Sequence, residues 1–282
     1  MPAHTGHCGL PASLEYVPMS AKAYRLMKFY QRFLPPRQNF VEIGSERGGG
    51  STKYLYDLCM ELGHRFSTVD IDPQIHQRAR EIAPGSAVLQ DGTQFLESFD
   101  GRIGFAYLDN FDWDWGGMGE VLDRQVRRYR ELDMELSNEN SQAAHLAQAQ
   151  AIESRAADTC FVLIDDTFWD DELEQWSGKG GAATPYLESK HFKILDSGRR
   201  FHRNKPFVLL GRGRLLTRSP KWRLWYPIYR LVLSRVYMDD VEGLSMWIKQ
   251  RSPRFVHAAL KKLYRSRVNR LGADSDEPTK GS

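Results

Sequence analysis

Three carboxylates stand where apolar runs end. Asp109 closes "RIGFAYLD" (102–109), and the adjacent pair Asp165 and Asp166 closes "TCFVLIDD" (159–166). Acids that converge repel one another unless a positive charge sits among them. Hard oxygen donors with no His or Cys in the set suit Mg²⁺, which keeps some of its waters and accepts substrate oxygens. An ion so held stabilises an alkoxide as a hydroxyl loses its proton. The plain alternative is that Asp109 and Asp166 cap the helices that follow them.

A second signal is "VEIGSERGGGST" (41–52), an apolar run with an embedded acid, four glycines within seven positions, and a Ser-Thr pair. Glycines after a buried strand let backbone pass close to a bulky ligand. A dinucleotide fingerprint needs G-x-G-x-x-G at this point. Here the spacing is Gly44-x-x-x-Gly48, with Ser45 after the first glycine, which argues against a dehydrogenase. Two more acids close apolar runs: Asp70 in "STVDIDP" and Asp91 in "LQDGTQF".

The elements that must position these residues follow from periodicity. "SAKAYRLMKFYQRFL" (20–34) has helical spacing and stops at Pro35-Pro36. "NFVEIG" (39–44) is a buried strand, residues 51–63 a helix closed by Gly63, and "RFSTVDID" a second strand before a helix begun by Pro73. "SAVLQDG" (86–92) is a third strand and "TQFLESF" a short helix; "RIGFAYLD" and "TCFVLIDD" are strands four and five, separated by a long helical stretch over about 117–157. "HFKILDSG" and "KPFVLLGRG" (205–213) pair antiparallel across the polar "RRFHRN". The alternation predicts an α/β fold: a doubly wound, mostly parallel seven-stranded Rossmann-like sheet with a terminal antiparallel pair. Ligands of such sheets lie at the carboxyl ends of the strands.

Glu-x-Gly-x-x-x-Gly followed by an acid ending strand two resembles the class I S-adenosylmethionine-dependent methyltransferases, over about residues 40–213. The resemblance implies that Glu42, Gly44, Ser45 and Gly48 belong to the loop under the methionine part of the cofactor. It places Asp70 at the ribose and Asp91 near the adenine. The strand-four and strand-five acids resemble those of metal-dependent O-methyltransferases, both the catechol type and the type acting on natural-product sugars. That implies Mg²⁺ on Asp109, Asp165 and Asp166, with Asp109 also beside the cofactor. The family places a Lys or His base three residues after the strand-four acid; this chain has Asp112 there, and His145 and His191 are rival bases. The implied function is S-adenosylmethionine-dependent, Mg²⁺-dependent O-methylation of a sugar, glycan or natural-product hydroxyl. The alternative is a hydroxylase-like or noncatalytic relative that keeps the fold as a binding module.

Other segments read more loosely. "WSGKGGAATPYL" (176–187) fits either a mobile lid, with Lys179 holding an anionic group, or a flexible connection; Phe111, Trp113 and Trp115 suit either stacking on a sugar ring or core packing. Residues 212–270 carry 15 Lys/Arg against 3 Asp/Glu, although the whole chain is only +3. The helical patterns there interleave cations with aliphatic and aromatic residues, as helices lying on an anionic membrane surface do; packing on protein, including a second copy, is the alternative. No RNA-binding motif accompanies the charge, so nucleic acid is not an expected partner. The three cysteines are far apart and the start lacks a secretory pattern. The expected location is the cytoplasm, with the inner membrane face as a peripheral site. The expected organisation is an N-terminal segment and helix (1–38), a methyltransferase domain (39–213), a basic amphipathic extension (214–272) and a disordered tail (273–282).

Overall fold

The strands form where apolar runs are long enough to be buried on both faces. In β4 (Ile103–Leu108) all six residues are buried, and β5 (Ala156–Asp165) is buried from Thr159 onward. The computed structural model describes residues 21–45, 50–114, 119–197 and 206–213. Gly48, Trp115, the "RRFHRN" connector, the basic extension and the tail lie outside the described residues.

The remaining strands are β1 (Asn39–Ile43), β2 (Arg65–Asp70), β3 (Ala87–Leu89), β6 (Thr167–Asp170), β7 (Gln175–Gly178), β8 (Lys193–Ser197) and β9 (Phe207–Arg212). Seven of the nine make one sheet in the order β3-β2-β1-β4-β5-β9-β8. Strands β1 to β5 run parallel, and β9 is antiparallel to both β5 and β8. This is the doubly wound sheet with a terminal antiparallel pair that the sequence predicts. Its order reverses between β1 and β4, which marks the crevice where ligands of such sheets bind.

Two cores hold the layers together. On one face Phe40, Phe105 and Phe161 form a row across β1, β4 and β5, with centroids 5.1 and 6.4 Å apart. Tyr30 of α1 (Ala21–Tyr30) covers the row, 5.3 Å from Phe161. Each such aromatic contributes about 1.5–3 kcal/mol by leaving water. The second core packs Ile43, Val69, Leu108 and Ile164 with Leu96 of α4 (Gly92–Ser98) and with Ala149 and Ile152 of α6 (Asn138–Arg155).

Two local features depart from the sequence expectation. The long helical stretch divides into α5 (Gly119–Glu131) and α6. Asp133, at φ +56°, turns the chain left-handed, a conformation Asp tolerates, and the Ser137 side chain then caps α6 by accepting from the Asn140 amide. Residues after Asp166 form a β6–β7 hairpin, fastened by Trp169 against Trp176 at 5.6 Å, before the short α7 (Ala183–Ser189). Among the described residues no helix is long and apolar enough to cross a membrane.

Candidate functional site

Strand register brings the predicted residues together. Ile43 lies opposite Val69 and Leu108, and Leu108 opposite Ile164. One position further on, Asp70, Gly44, Asp109 and Asp165 therefore form a row across four neighbouring strands, spaced at about 4.8 Å per strand. Gly44, at φ +91°, has to be glycine: a Cβ there would lie 2.6 Å from the backbone of Asp109 and Asn110.

The first loop is held by a relay of short polar groups. The Ser45 amide donates to Asp70 Oδ2 at 2.9 Å, and the Asp72 amide to Oδ1 at 2.9 Å. Burial pushes the Asp70 carboxyl above its ordinary pKa against these amides. Beneath the loop, the Thr68 hydroxyl donates to Glu42 Oε2 at 2.6 Å and therefore accepts from Ser45 Oγ at 2.7 Å. Thr52, from α2 (Ser51–Leu62), lies 2.8 Å from the same Glu42 oxygen. Glu42 is wholly buried, and burial raises its pKa to about 7 although the hydroxyls of Ser51, Thr68 and Thr52 hold it down. It braces the loop from below. Asp91 caps α4, its Oδ1 accepting from the Gln94 amide at 2.9 Å.

The strand-four and strand-five acids converge as the sequence predicts: oxygens of Asp109, Asp165 and Asp166 lie within 4.8 Å of one another. Tyr107, two residues before Asp109, joins them, its hydroxyl 2.9 Å from Asp109 Oδ2 and 3.4 Å from Asp165 Oδ2. The positive charge among them belongs to Lys179. Its ammonium is 2.8 Å from Asp109 Oδ1 and 3.4 Å from Asp166 Oδ2, and its side chain is only 3% exposed. Burial favours the neutral amine, but Asp109 foremost, then Asp166, Asp112 and Asp165, hold the pKa well above the ordinary lysine value.

The glycines of "SGKGG" explain how a lysine reaches this depth. Asp166 turns at φ +45° and starts the hairpin; Gly178, at φ +82°, returns so close that a Cβ would overlap the Asp166 carbonyl oxygen. The Lys179 amide donates to that carbonyl at 3.0 Å. The Gly180 amide donates to Thr167 Oγ1 at 2.9 Å, and Thr167 in turn donates to the Asp165 carbonyl. Gly181 leaves room for Gln142 of α6, which donates to the Gly178 carbonyl at 3.2 Å. The expectation of a mobile lid is thereby corrected. Residues 178–181 are a buried, hydrogen-bonded corner.

Mg²⁺ on these acids would have to share them with Lys179. Asp109 offers one oxygen to the ammonium and the other to Tyr107. An ion at the usual distance of about 2.1 Å from the oxygens that Lys179 holds would press one cation against another.

Of the three rival bases, two adjoin the acids. His145 is wholly buried on α6, one turn beyond Gln142. Its Nδ1 is 2.7 Å from the Ser141 carbonyl, which can only accept, so Nδ1 carries the proton and Nε2 keeps its lone pair. Burial and then Lys179 lower its pKa to about 4, against the Ser141 carbonyl and Asp109. Asp112 is half-buried and within electrostatic reach of Lys179; its backbone amide donates to the Tyr129 hydroxyl at 2.7 Å. His191 is exposed just past the far end of α7, a helix about 10 Å long that leads away from Lys179.

Several buried polar atoms at this edge have no hydrogen-bond partner among the described residues: His145 Nε2, Asn110 Oδ1, Gln148 Oε1 and Thr184 Oγ1. Each costs about 1–3 kcal/mol if left unmet, so the edge is suited to a polar ligand. Sequence reasoning missed Tyr107 and the Thr52–Thr68 brace, and gave Lys179 an anionic ligand where the structure gives it the chain's own Asp109 and Asp166. The glycines flanking Lys179 were the available signal, since they indicate close packing as readily as mobility.

No protein-family model and no curated protein matches the chain. Among solved structures, a candidate methyltransferase from Streptococcus mutans in complex with SAH is similar at 10% identity, over 68% of this chain and 98% of that one, with a TM-score of 0.44. N-methyltransferase NodS from Bradyrhizobium japonicum is 12% identical over 67% and 93%, with a TM-score of 0.41. A Burkholderia thailandensis 1,6-didemethyltoxoflavin-N1-methyltransferase with S-adenosylhomocysteine is 14% identical over 69% and 79%, with a TM-score of 0.40. Likenesses this distant carry no weight for function, which has to come from the residues of the site.

Proposed function

We propose that the chain is an S-adenosylmethionine-dependent methyltransferase acting on a hydroxyl oxygen. The observation that carries this reading is the row of Asp70, Gly44, Asp109 and Asp165 at the switch point, with the Gly44–Ser45 loop tied to Asp70 by the Ser45 amide. Each Asp70 oxygen accepts one backbone amide and keeps a lone pair, which suits the two ribose hydroxyls. Ile71, the next residue, is 38% exposed and offers an apolar surface for a purine. Gly44 and Ser45 would carry the methionine part of the cofactor, with Glu42 acting through the loop.

When bound, S-adenosylmethionine supplies an activated methyl: the C–S bond breaks with its electron pair left on sulfur while the acceptor oxygen forms the C–O bond and releases its proton. The chain's residues provide position and charge for that exchange. Lys179 and Tyr107 fix the acids of β4 and β5. His145 Nε2 takes the hydroxyl proton, because it is unprotonated at neutral pH and lies on the α6 face against the Lys179 corner; Asp112 is the second choice. Phe111 and Trp113, half-buried beside Asp112, support an acceptor of the sugar, glycan or natural-product polyol class.

Calorimetric titration with S-adenosylhomocysteine tests this directly. The full chain is expected to bind it, and Asp70→Ala to bind at least about tenfold more weakly through loss of the ribose contacts. Transfer of labelled methyl to a panel of polyols then tests the acceptor class. Absence of any binding by the wild-type chain would remove the proposal.

A further inference from the structure

We infer that Lys179 is the resident cation of the acid cluster and takes the place of a divalent metal, so that the site works without one. The inference rests on the methyl-transfer reading only for the identity of the ligand that approaches. The cation's position follows from geometry alone. Three carboxylates from two adjacent strands meet within 4.8 Å, the spacing of a metal site, and a lysine ammonium stands against two of them at 2.8 and 3.4 Å.

The backbone around Lys179 shows that this is a built arrangement. A surface lysine that merely folded over acids would need no special chain path. Here Gly178 can be no other residue because of the Asp166 carbonyl, and Gly180 and Gly181 face Thr167 and Gln142 at distances a Cβ would violate. Close packing on both sides of Lys179 thus fixes the chain path that carries it, and its side chain is 3% exposed among the acids.

An ammonium differs from Mg²⁺ in what it offers a substrate. It has three protons and no open coordination position. Among the described residues Lys179 meets two acceptors, Asp109 at 2.8 Å and Asp166 at 3.4 Å, against its three N–H groups. A donor fixed in advance at the point where an alkoxide develops stabilises that charge without reorganising. The acids in turn keep the ammonium charged and oriented. Lys179 would therefore touch the reacting oxygen, where a metal-dependent relative would coordinate it.

The test uses Mn²⁺ as the probe, on the full chain, followed by the loss of its free-ion electron paramagnetic resonance signal. Wild type is expected to take up Mn²⁺ at least about tenfold more weakly than Lys179→Met, which removes the charge and leaves the three acids facing one another. Chelation of divalent ions is expected to leave S-adenosylhomocysteine affinity of wild type unchanged within about twofold, on the titration scale used above. Lys179→Gln, with a polar end but no charge, gives the same reading if the methionine variant fails to fold. Wild type binding Mn²⁺ as tightly as either variant, or losing S-adenosylhomocysteine on chelation, would overturn the inference. Failure of wild type to bind S-adenosylhomocysteine at all would instead remove the methyl-transfer reading, while the Mn²⁺ comparison still decides the cation.

Discussion

Replacing Glu42 with Gln should stabilise the protein, and only above mildly acidic pH. Burial raises the Glu42 carboxyl from an ordinary 4.5 to about 7, so the folded chain holds a proton that the unfolded chain gives up. As pH rises from about 4.5 towards 7, ionisation favours the unfolded chain and wild-type stability falls. Above about 7 both states are ionised and the penalty is constant. At about 1.4 kcal/mol per tenfold change in proton affinity, the full penalty is about 3 kcal/mol. Glutamine has no proton to lose, and its carbonyl oxygen can still accept from Thr68 and Thr52 as Glu42 Oε2 does.

Urea unfolding of both proteins in steps from pH 4.5 to 8.5, without cofactor, measures the effect. Most of the difference should develop below pH 7 and level off above it, which separates Glu42 from groups titrating elsewhere, since those are common to both chains. Equal stability of the two across the range would refute the reasoning, and with it the picture of a loop braced from below. A steady rise in the difference beyond pH 8 would point to a different group.

The remaining expectations concern neighbours of that brace. Gly44→Ala puts a Cβ 2.6 Å from the backbone of Asp109 and Asn110 and should weaken S-adenosylhomocysteine binding at least about tenfold, measured by calorimetry. Gly178→Ala meets the Asp166 carbonyl and should cost about 2–4 kcal/mol in urea unfolding while freeing the acids for Mn²⁺. His145→Asn should show the opposite pH sign to Glu42→Gln. The folded-state pKa of His145 is lowered to about 4, so wild type loses up to about 3 kcal/mol relative to the variant as pH falls from 6.5 through 4. For the basic extension, the membrane reading expects Glu at Lys261, Lys262, Arg265 and Arg267 to abolish co-sedimentation with anionic vesicles and raised salt to weaken it in wild type, whereas no co-sedimentation of wild type would favour packing on protein.

The sheet was legible because burial on both faces leaves a plain trace: five apolar runs, each closed by Gly or Asp, alternate with helical spacing. Those closing residues also gave the site edge, since parallel strands of similar length end in register, and Gly44, Asp70, Asp109 and Asp165 meet as the resemblance implied. The β6–β7 hairpin was not legible. "TFWDDELEQWSG" has turn-like acids in the middle and little alternation, and its two strands are fixed by one cross-strand Trp pair that only the fold brings together. Splitting 117–157 into two helices depended on a single left-handed Asp133, which no periodicity signals. Asp91 carries a cap as well as its implied place near the adenine, and its type suits both.

The cation is the deeper lesson. Converging carboxylates require a positive charge, and that requirement could be read from strand ends alone. Its bearer could not, because the reach of a lysine side chain is set by where the fold places its Cα. Three glycines decide that here by admitting the Asp166 carbonyl and the Thr167 and Gln142 side chains around Lys179. The same three positions, read as a sequence, fit a flexible lid equally well. The two readings separate once the partners of the glycines are known: mobility needs open space around them, whereas Gly178, Gly180 and Gly181 each face an atom that a side chain would strike. A glycine-flanked lysine downstream of two acid-ended strands is therefore a reason to weigh an internal ammonium before invoking a metal.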